Sequence, residues 1–203
     1  MFADALKQMK TGLMLLIVFS VLTGLIYPAI VTGIAQITFP WKANGSIIKL
    51  NGNAIGSELI GQEFTDNKYF WGRPSATTPY PYNAESSSGS NAGPMNEDYL
   101  NDVKQRVGKL KVADYSNAGG APVDLVTASG SGLDPEISPY SAFYQSNRIA
   151  KARGLDLDAV VHILIENYMK GRTFGLLGEP RVNVLQLNLA LDGLTESSKP
   201  KKE

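Results

Sequence analysis

The sequence predicts an α+β protein, with one N-terminal transmembrane helix followed by a single extracytoplasmic α+β domain. Three observations carry that reading. No charged residue lies between Lys10 and Lys42, so residues 11–41 are apolar apart from isolated Thr, Ser and Gln. Beyond them, short β-branched stretches bounded by turn residues alternate with segments of helical period, too loosely for a doubly wound sheet. The rest of the 203-residue chain is about one ordinary domain's worth, enough for a real core. The expected boundaries are a cytoplasmic tail at 1–10, the anchor at 11–41, the outer domain at 42–194 and a disordered tail at 195–203.

As a helix, residues 11–41 would measure about 46 Å, against a hydrocarbon core of about 30 Å, so they cross once with tilt to spare. The rival reading is a cleaved secretory signal, with Lys7 and Lys10 as the basic region and Gly33-Ile34-Ala35 as the cleavage site. Against it, the apolar pattern continues through Ile37 and Phe39 to Trp41, an aromatic suited to the membrane edge. Tyr27-Pro28 removes a backbone hydrogen bond in mid-span and should bend the helix. Gly12, Gly24, Tyr27, Pro28 and Gly33 are the candidate surface for another membrane helix, because small residues permit close approach. Flanking charge nearly ties, with Lys7 and Lys10 against Lys42 and Lys49. The short leading tail then favours a cytoplasmic N-terminus, a single crossing of the cell membrane and an outer C-terminal domain.

Asn51-Gly52 between residues 47–50 and 53–57 is a two-residue hairpin signal. Tyr69-Phe70-Trp71 serves either as core or as a surface that touches lipid or a partner. Residues 77–94, rich in Pro, Tyr, Ser, Gly and Asn, read as a long loop. Asn96 caps a helix whose face carries Leu100, Val103, Val107 and Leu110. Residues 123–128 suggest a buried strand running into the Ser129–Pro135 glycine-serine turn. That turn is either a ligand loop or a structural one in which glycines supply positive φ. Ser138-Pro139 opens a helix expected to bury Tyr140, Phe143 and Ala150, with Arg148, Lys151 and Arg153 near its C-terminus and Gly154 as its stop. Asp156 caps the next, with Leu157, Val160, Val161, Leu164, Ile165 and Tyr168 as its stripe and Gly171 as its end. His162 borders that stripe as a structural residue. Residues 181–184 read as a strand and 185–192 as a short helix.

The chain contains no cysteine and one histidine, which excludes disulfides, cysteine nucleophiles and the common zinc sites. Beyond position 41 there are 17 basic and 18 acidic residues, no electrostatic footprint for nucleic acid. No nucleophile stands with its base in a known pattern, and the centre of Ala128-Ser129-Gly130-Ser131-Gly132 is glycine, so it is not a nucleophile elbow. The residues alone point to a non-catalytic accessory protein with an outer interaction domain.

Several strings in one order carry a resemblance: Tyr27-Pro28, FPWKANGS (39–46), LIGQEF (59–64), GRPSA (72–76), VDLVTASGSGLDPEISP (123–139), RIAKARG (148–154) and VNVLQLNLALD (182–192). Together they resemble the KdpC family, the small subunit of the high-affinity potassium-transporting P-type ATPase of bacteria and archaea. The resemblance implies assembly, through anchor and outer domain, with a potassium-selective subunit and an ATP-hydrolysing subunit in the lipid membrane, without hydrolytic chemistry of its own. It also implies a catalytic chaperone that raises the pump subunit's ATP affinity, with a glutamine holding nucleotide. The matching position is Gln145, in the A-x-x-Q-x-x-R pattern 142–148, so ATP is the one ligand implied. The alternatives are a direct nucleotide-binding regulator acting through Gln145, or an ordinary helix surface at that position. On the resemblance, the outer-domain interaction candidates are Arg73, Ser75, Asn91, Ser129, Ser131, Asp134, Arg148 and Arg153. The family's SGGSN-like loop reads here Ser87-Ser88-Gly89-Ser90-Asn91, with one glycine replaced.

Overall fold

The computed structural model describes residues 2–117, 119–158, 160 and 165–197. The chain divides into two units between Ile47 and Ile48. In the first, a helical rod covers Phe2–Thr38, one helix long and apolar enough to cross a membrane. It comprises α1 (Phe2–Val21), a π-helical turn at Leu22–Ile26 and α2 (Tyr27–Thr38). Where a bend was expected, the helix winds through this wider turn. Pro28 has no N–H and its ring crowds the carbonyl of Gly24, and a π turn accommodates both by letting Tyr27 N–H donate to Leu22 O, five residues back. The hydroxyls of Thr11, Thr23 and Thr38 donate to the carbonyls of Lys7, Phe19 and Ile34, so no polar group of theirs faces outward unsatisfied.

The rod stops earlier than the apolar pattern does. Phe39 has φ −140° and ψ 56°, as the residue before a proline is pushed to do, and Pro40–Ala43 form a separate turn, α3. The amides of Gln36 and Asn44 pair across this break at 3.0 and 3.3 Å.

In the second unit, Asn51 and Gly52 take φ of 52° and 84° and join β1 (Ile47–Leu50) to β2 (Asn53–Ser57), as the Asn-Gly pair requires. Asn96 caps α4 (Glu97–Ala113) by accepting from Tyr99 N–H at 2.9 Å. Val123–Val126 form a short helix, α5, where a strand was expected. Pro122 starts the turn, Thr127 N–H closes it on Val123 O at 2.9 Å, and the Asp124 carboxylate accepts from Ser138 N–H at 2.7 Å. These bonds override the β propensity of two valines.

Ser138 caps α6 (Pro139–Arg153), accepting from Ser141 N–H at 3.1 Å. Gly154, at φ 64°, ends it while Leu155 N–H returns to Ala150 O at 3.0 Å, a Schellman closure. Its buried residues are Ser141, Ala142, Tyr144, Gln145, Ser146, Arg148, Ile149 and Ala150, the last as expected. Tyr140 and Phe143 are exposed, which corrects the expected burial of both. A three-stranded antiparallel sheet, in the order β3 (Glu136–Ile137), β5 (Arg181–Asn183), β4 (Met169–Lys170), pairs Ile137 and Met169 with Val182. Strand β4 occupies residues expected to finish a helix at Gly171. That helix lies partly outside the described residues, as do Val161, His162 and Leu164; Val160 and Ile165 are buried, whereas Leu157 and Tyr168 are exposed.

Helix α7 (Val184–Ser197) carries Val184, Leu187 and Leu191 into a core shared with Phe70, Ile137, Ala142, Ile149, Val160, Ile165 and Val182. It runs to Ser197, into the segment expected to be a disordered tail; the remainder of that tail lies outside the described residues.

Candidate functional site

Residues 61–96 hold neither helix nor strand, yet Phe70 is fully buried and Trp71 only 8% exposed. Irregular backbone inside a core has no ladder to satisfy its polar groups, so side chains must do it. Asn188, from α7, takes Phe70 on both sides: its Oδ1 accepts from Phe70 N–H at 2.8 Å and its Nδ2 donates to Phe70 O at 3.0 Å. Gln145, from α6, does the same for Trp71, at 2.8 and 3.1 Å. Two amides from two helices thus mimic the missing neighbouring strand.

Arg148 completes the clamp. Its guanidinium donates to Tyr69 O at 3.0 Å, to Gln145 Oε1 at 2.7 Å and to Asn67 O, and lies 4.2 Å from the centre of the Trp71 ring. Burial pushes its pKa down to about 10, which still leaves it charged at neutral pH. Arg153, five residues on, repeats the arrangement, over the Tyr69 ring at 4.8 Å and paired with Asp192 at 2.7 Å. Tyr69 Oη donates to the same Asp192.

The other end of the irregular stretch is tied to the 129–135 turn. Arg73 pairs with Asp134 at 3.0 Å, with both side chains partly exposed, and its buried Nε has no partner. Ser75 Oγ donates to Gly132 O at 2.7 Å and accepts from Tyr82 N–H at 2.9 Å. Ser129 Oγ and Ser131 Oγ accept from Gly132 and Leu133 N–H. Ser88 N–H donates to Ser131 O at 2.9 Å. In the loop where one glycine was replaced, the positive φ, 49°, falls on Asn91 rather than on Ser88. Gly61 is enclosed, for a Cβ there would come within 2.7 Å of Asp134 O and also meet the Tyr82 ring. Tyr82 Oη donates to Arg73 O at 2.5 Å, and burial raises its phenol to about 12.

The structure therefore brings Arg73, Ser75, Ser129, Ser131 and Asp134 together, with Asn91 on the adjoining loop. Arg148 and Arg153 lie at the opposite end of the same stretch. Gln145, one alternative for which was an ordinary helix surface, is 1% exposed, and both its amide atoms are engaged. A cleft of about 230 Å³ opens between α4 and the irregular stretch, lined among others by Glu63, Arg73, Arg106, Lys109 and Trp71. Its cations are engaged: Arg106 by Asp102 and Val126 O, and Lys109 over the Trp71 ring at 4.9 Å. Such an arrangement holds a surface in shape.

Sequence reasoning missed Asn188, Asp192, Lys109 and Tyr82. Asn188 left a signal, an amide amid the leucines of Leu185–Leu191 on a face that has to be buried. Glycines 12, 24 and 33, on the apolar rod, have nothing within 4 Å of where a Cβ would stand, so the rod is open at each of them.

The comparisons with known proteins agree with one another. Residues 9–193 match the KdpC family, described as the K+-transporting ATPase c chain. The potassium-transporting ATPase KdpC subunit of Methylococcus capsulatus is 56% identical over 93% of this chain and 99% of its own. That of Herpetosiphon aurantiacus is 60% identical over 90% and 94%, and that of Polynucleobacter asymbioticus 56% identical over 91% and 97%. With its clamped irregular stretch, its apolar N-terminal rod and a match over nearly its whole length, the chain belongs to the KdpC family of potassium-transporting ATPase subunits.

Proposed function

We propose that the chain is a non-catalytic subunit that joins the potassium-selective and ATP-hydrolysing subunits of the transport complex. The rod crosses the membrane once with its N-terminus in the cytoplasm, and the second unit lies outside. The observation that carries this is the pairing of an apolar helix whose glycines stand open with a domain whose buried polar side chains hold the irregular stretch in shape. Continuity of α2 through Ala35 to Thr38 supports an anchor over a cleaved signal, whose cleavage site would have to unfold from a helix.

Any rise in the pump subunit's ATP affinity acts through assembly, and the support is at Gln145. Nucleotide contact there would break its bonds to Trp71, Ser141 and Arg148 and leave buried backbone groups unpaired, a cost of about 1–3 kcal/mol each. The candidates Arg73, Ser75, Asn91, Ser129, Ser131, Asp134, Arg148 and Arg153 frame the surface presented to the partners, and Gly12, Gly24, Tyr27, Pro28 and Gly33 frame the membrane contact.

Two measurements test this. Because the chain has no cysteine, a cysteine placed at exposed Ser90 reports sidedness directly. Labelling by an impermeant maleimide from outside intact cells is expected, and labelling only after lysis would reverse the topology. Removal of residues 2–43 should abolish co-purification with the other subunits, and undiminished recovery would defeat the anchoring role.

A further inference from the structure

Beyond the clamped stretch, the most exposed large apolar side chains of the outer unit that follow one another closely are Phe174, Leu176 and Leu177, at 90%, 81% and 63% exposure. They do not lie on a loose loop. Thr173 N–H donates to Leu177 O at 2.8 Å and Leu177 N–H returns to Thr173 O at 2.9 Å, with Gly175 and Leu176 N–H bonded to Arg172 O and Thr173 O. At the base, Arg172 grips both carboxylate oxygens of Glu179 at 3.0 and 2.7 Å. Phe174 is held at φ 54°, a region that bulky residues avoid, and Gly175 and Gly178 continue at 73° and 75°. The turn is thus a preformed finger that spends backbone strain on presenting an aromatic and two leucines to the exterior.

We propose that this finger inserts into an apolar pocket on another subunit of the same transport complex. The inference rests on the assembly reading above and names the element that makes the outer contact. Charge at the base selects a protein pocket over a lipid surface. Arg172 pairs with Glu179, Arg181 with Glu136 and Lys170 with Glu58, so no surplus of cations is left to meet anionic headgroups. A neutral, hydrogen-bonded rim around an apolar centre is the anatomy of a protein contact. An aromatic anchor on an ordered turn also loses little entropy on docking.

The test uses the full chain co-produced with the other subunits and purified through a tag on one of them. With a photoreactive benzoylphenylalanine in place of Phe174, illumination should yield a covalent product containing this chain and one other subunit. Products with lipid alone, or with a second copy of this chain alone, would overturn the proposal. Phe174→Asp combined with Leu176→Asp should lower the co-purifying yield at least fivefold, while Asn101→Asp, at an exposed site on α4, leaves it unchanged. The double variant's thermal midpoint, compared with that of the parent, distinguishes lost docking from lost folding. Wild-type chain that fails to co-purify defeats the assembly reading and the finger with it. Wild-type recovery matched by the double variant defeats the finger alone.

Discussion

The second unit contains two irregular stretches that solve opposite problems. Around Tyr69-Phe70-Trp71 the backbone is buried, and its N–H and C=O groups are met by Asn188, Gln145 and Arg148 reaching from two helices. Around Phe174 the backbone satisfies itself through its own short-range bonds, and the side chains are left to solvent. The difference shows where polar side chains are needed. Inside a core, irregular chain is stable only if amides and guanidinium groups replace the absent ladder. At the surface, water and a tight turn suffice, and apolar side chains are free for another use.

The comparison can be broken most sharply at the clamp. Asn188→Ala strands both backbone groups of Phe70, and a loss of about 3 kcal/mol should lower the thermal midpoint of the full chain in detergent by about 6–12 °C. A shift under about 2 °C would mean that water replaces the amide. Gly61→Ala drives a methyl group against Asp134 O, a strain of about 2 kcal/mol visible as a lower urea midpoint at unchanged slope. Tyr82→Phe removes one bond to Arg73 O, about 1 kcal/mol, and also changes pH dependence. The phenol is raised from 10 to about 12 when folded, so the unfolded chain gives up that proton first. The stability it contributes is complete below pH 10 and is lost as pH rises toward 12. The parent's midpoint should therefore fall more steeply than the variant's over that window, and parallel curves would exclude a buried phenol. Smallest of all, Phe174→Ser should move stability by no more than about 0.5 kcal/mol; a larger loss would mean that the finger is packed rather than presented.

Local chemistry was readable in the sequence. The Asn51-Gly52 hairpin, the caps at Asn96 and Ser138 and the stop at Gly154 all form where their residue types direct. Long-range polar pairing was not. Gln145 meets Trp71 across 74 positions and Asn188 meets Phe70 across 118, and helical periodicity reads an amide as a solvent-facing residue. The same blindness placed Tyr140 and Phe143 inside, because it assumed that the buried face of α6 would be the apolar one. That face carries, beside Ala142, Tyr144, Ile149 and Ala150, the polar residues the irregular stretch requires. At residues 123–126 β propensity competed with a proline-started turn, and the turn won through contacts to Asp124 that only the fold provides.

The π-helical turn at Leu22–Ile26 has a geometric consequence for anything that docks along the rod. Such a turn accommodates one residue more than an α-helical turn, and one residue corresponds to about 100° of rotation. The face bearing Gly33 is therefore out of phase, by that angle, with where uninterrupted winding from Gly12 would put it. A neighbour that follows one straight stripe along the lower half meets a different stripe along the upper half. Excising a single residue from 22–26 would close the wider turn with the upper half still in its present orientation, whereas regular winding at full length would rotate that half as a block by about 100°.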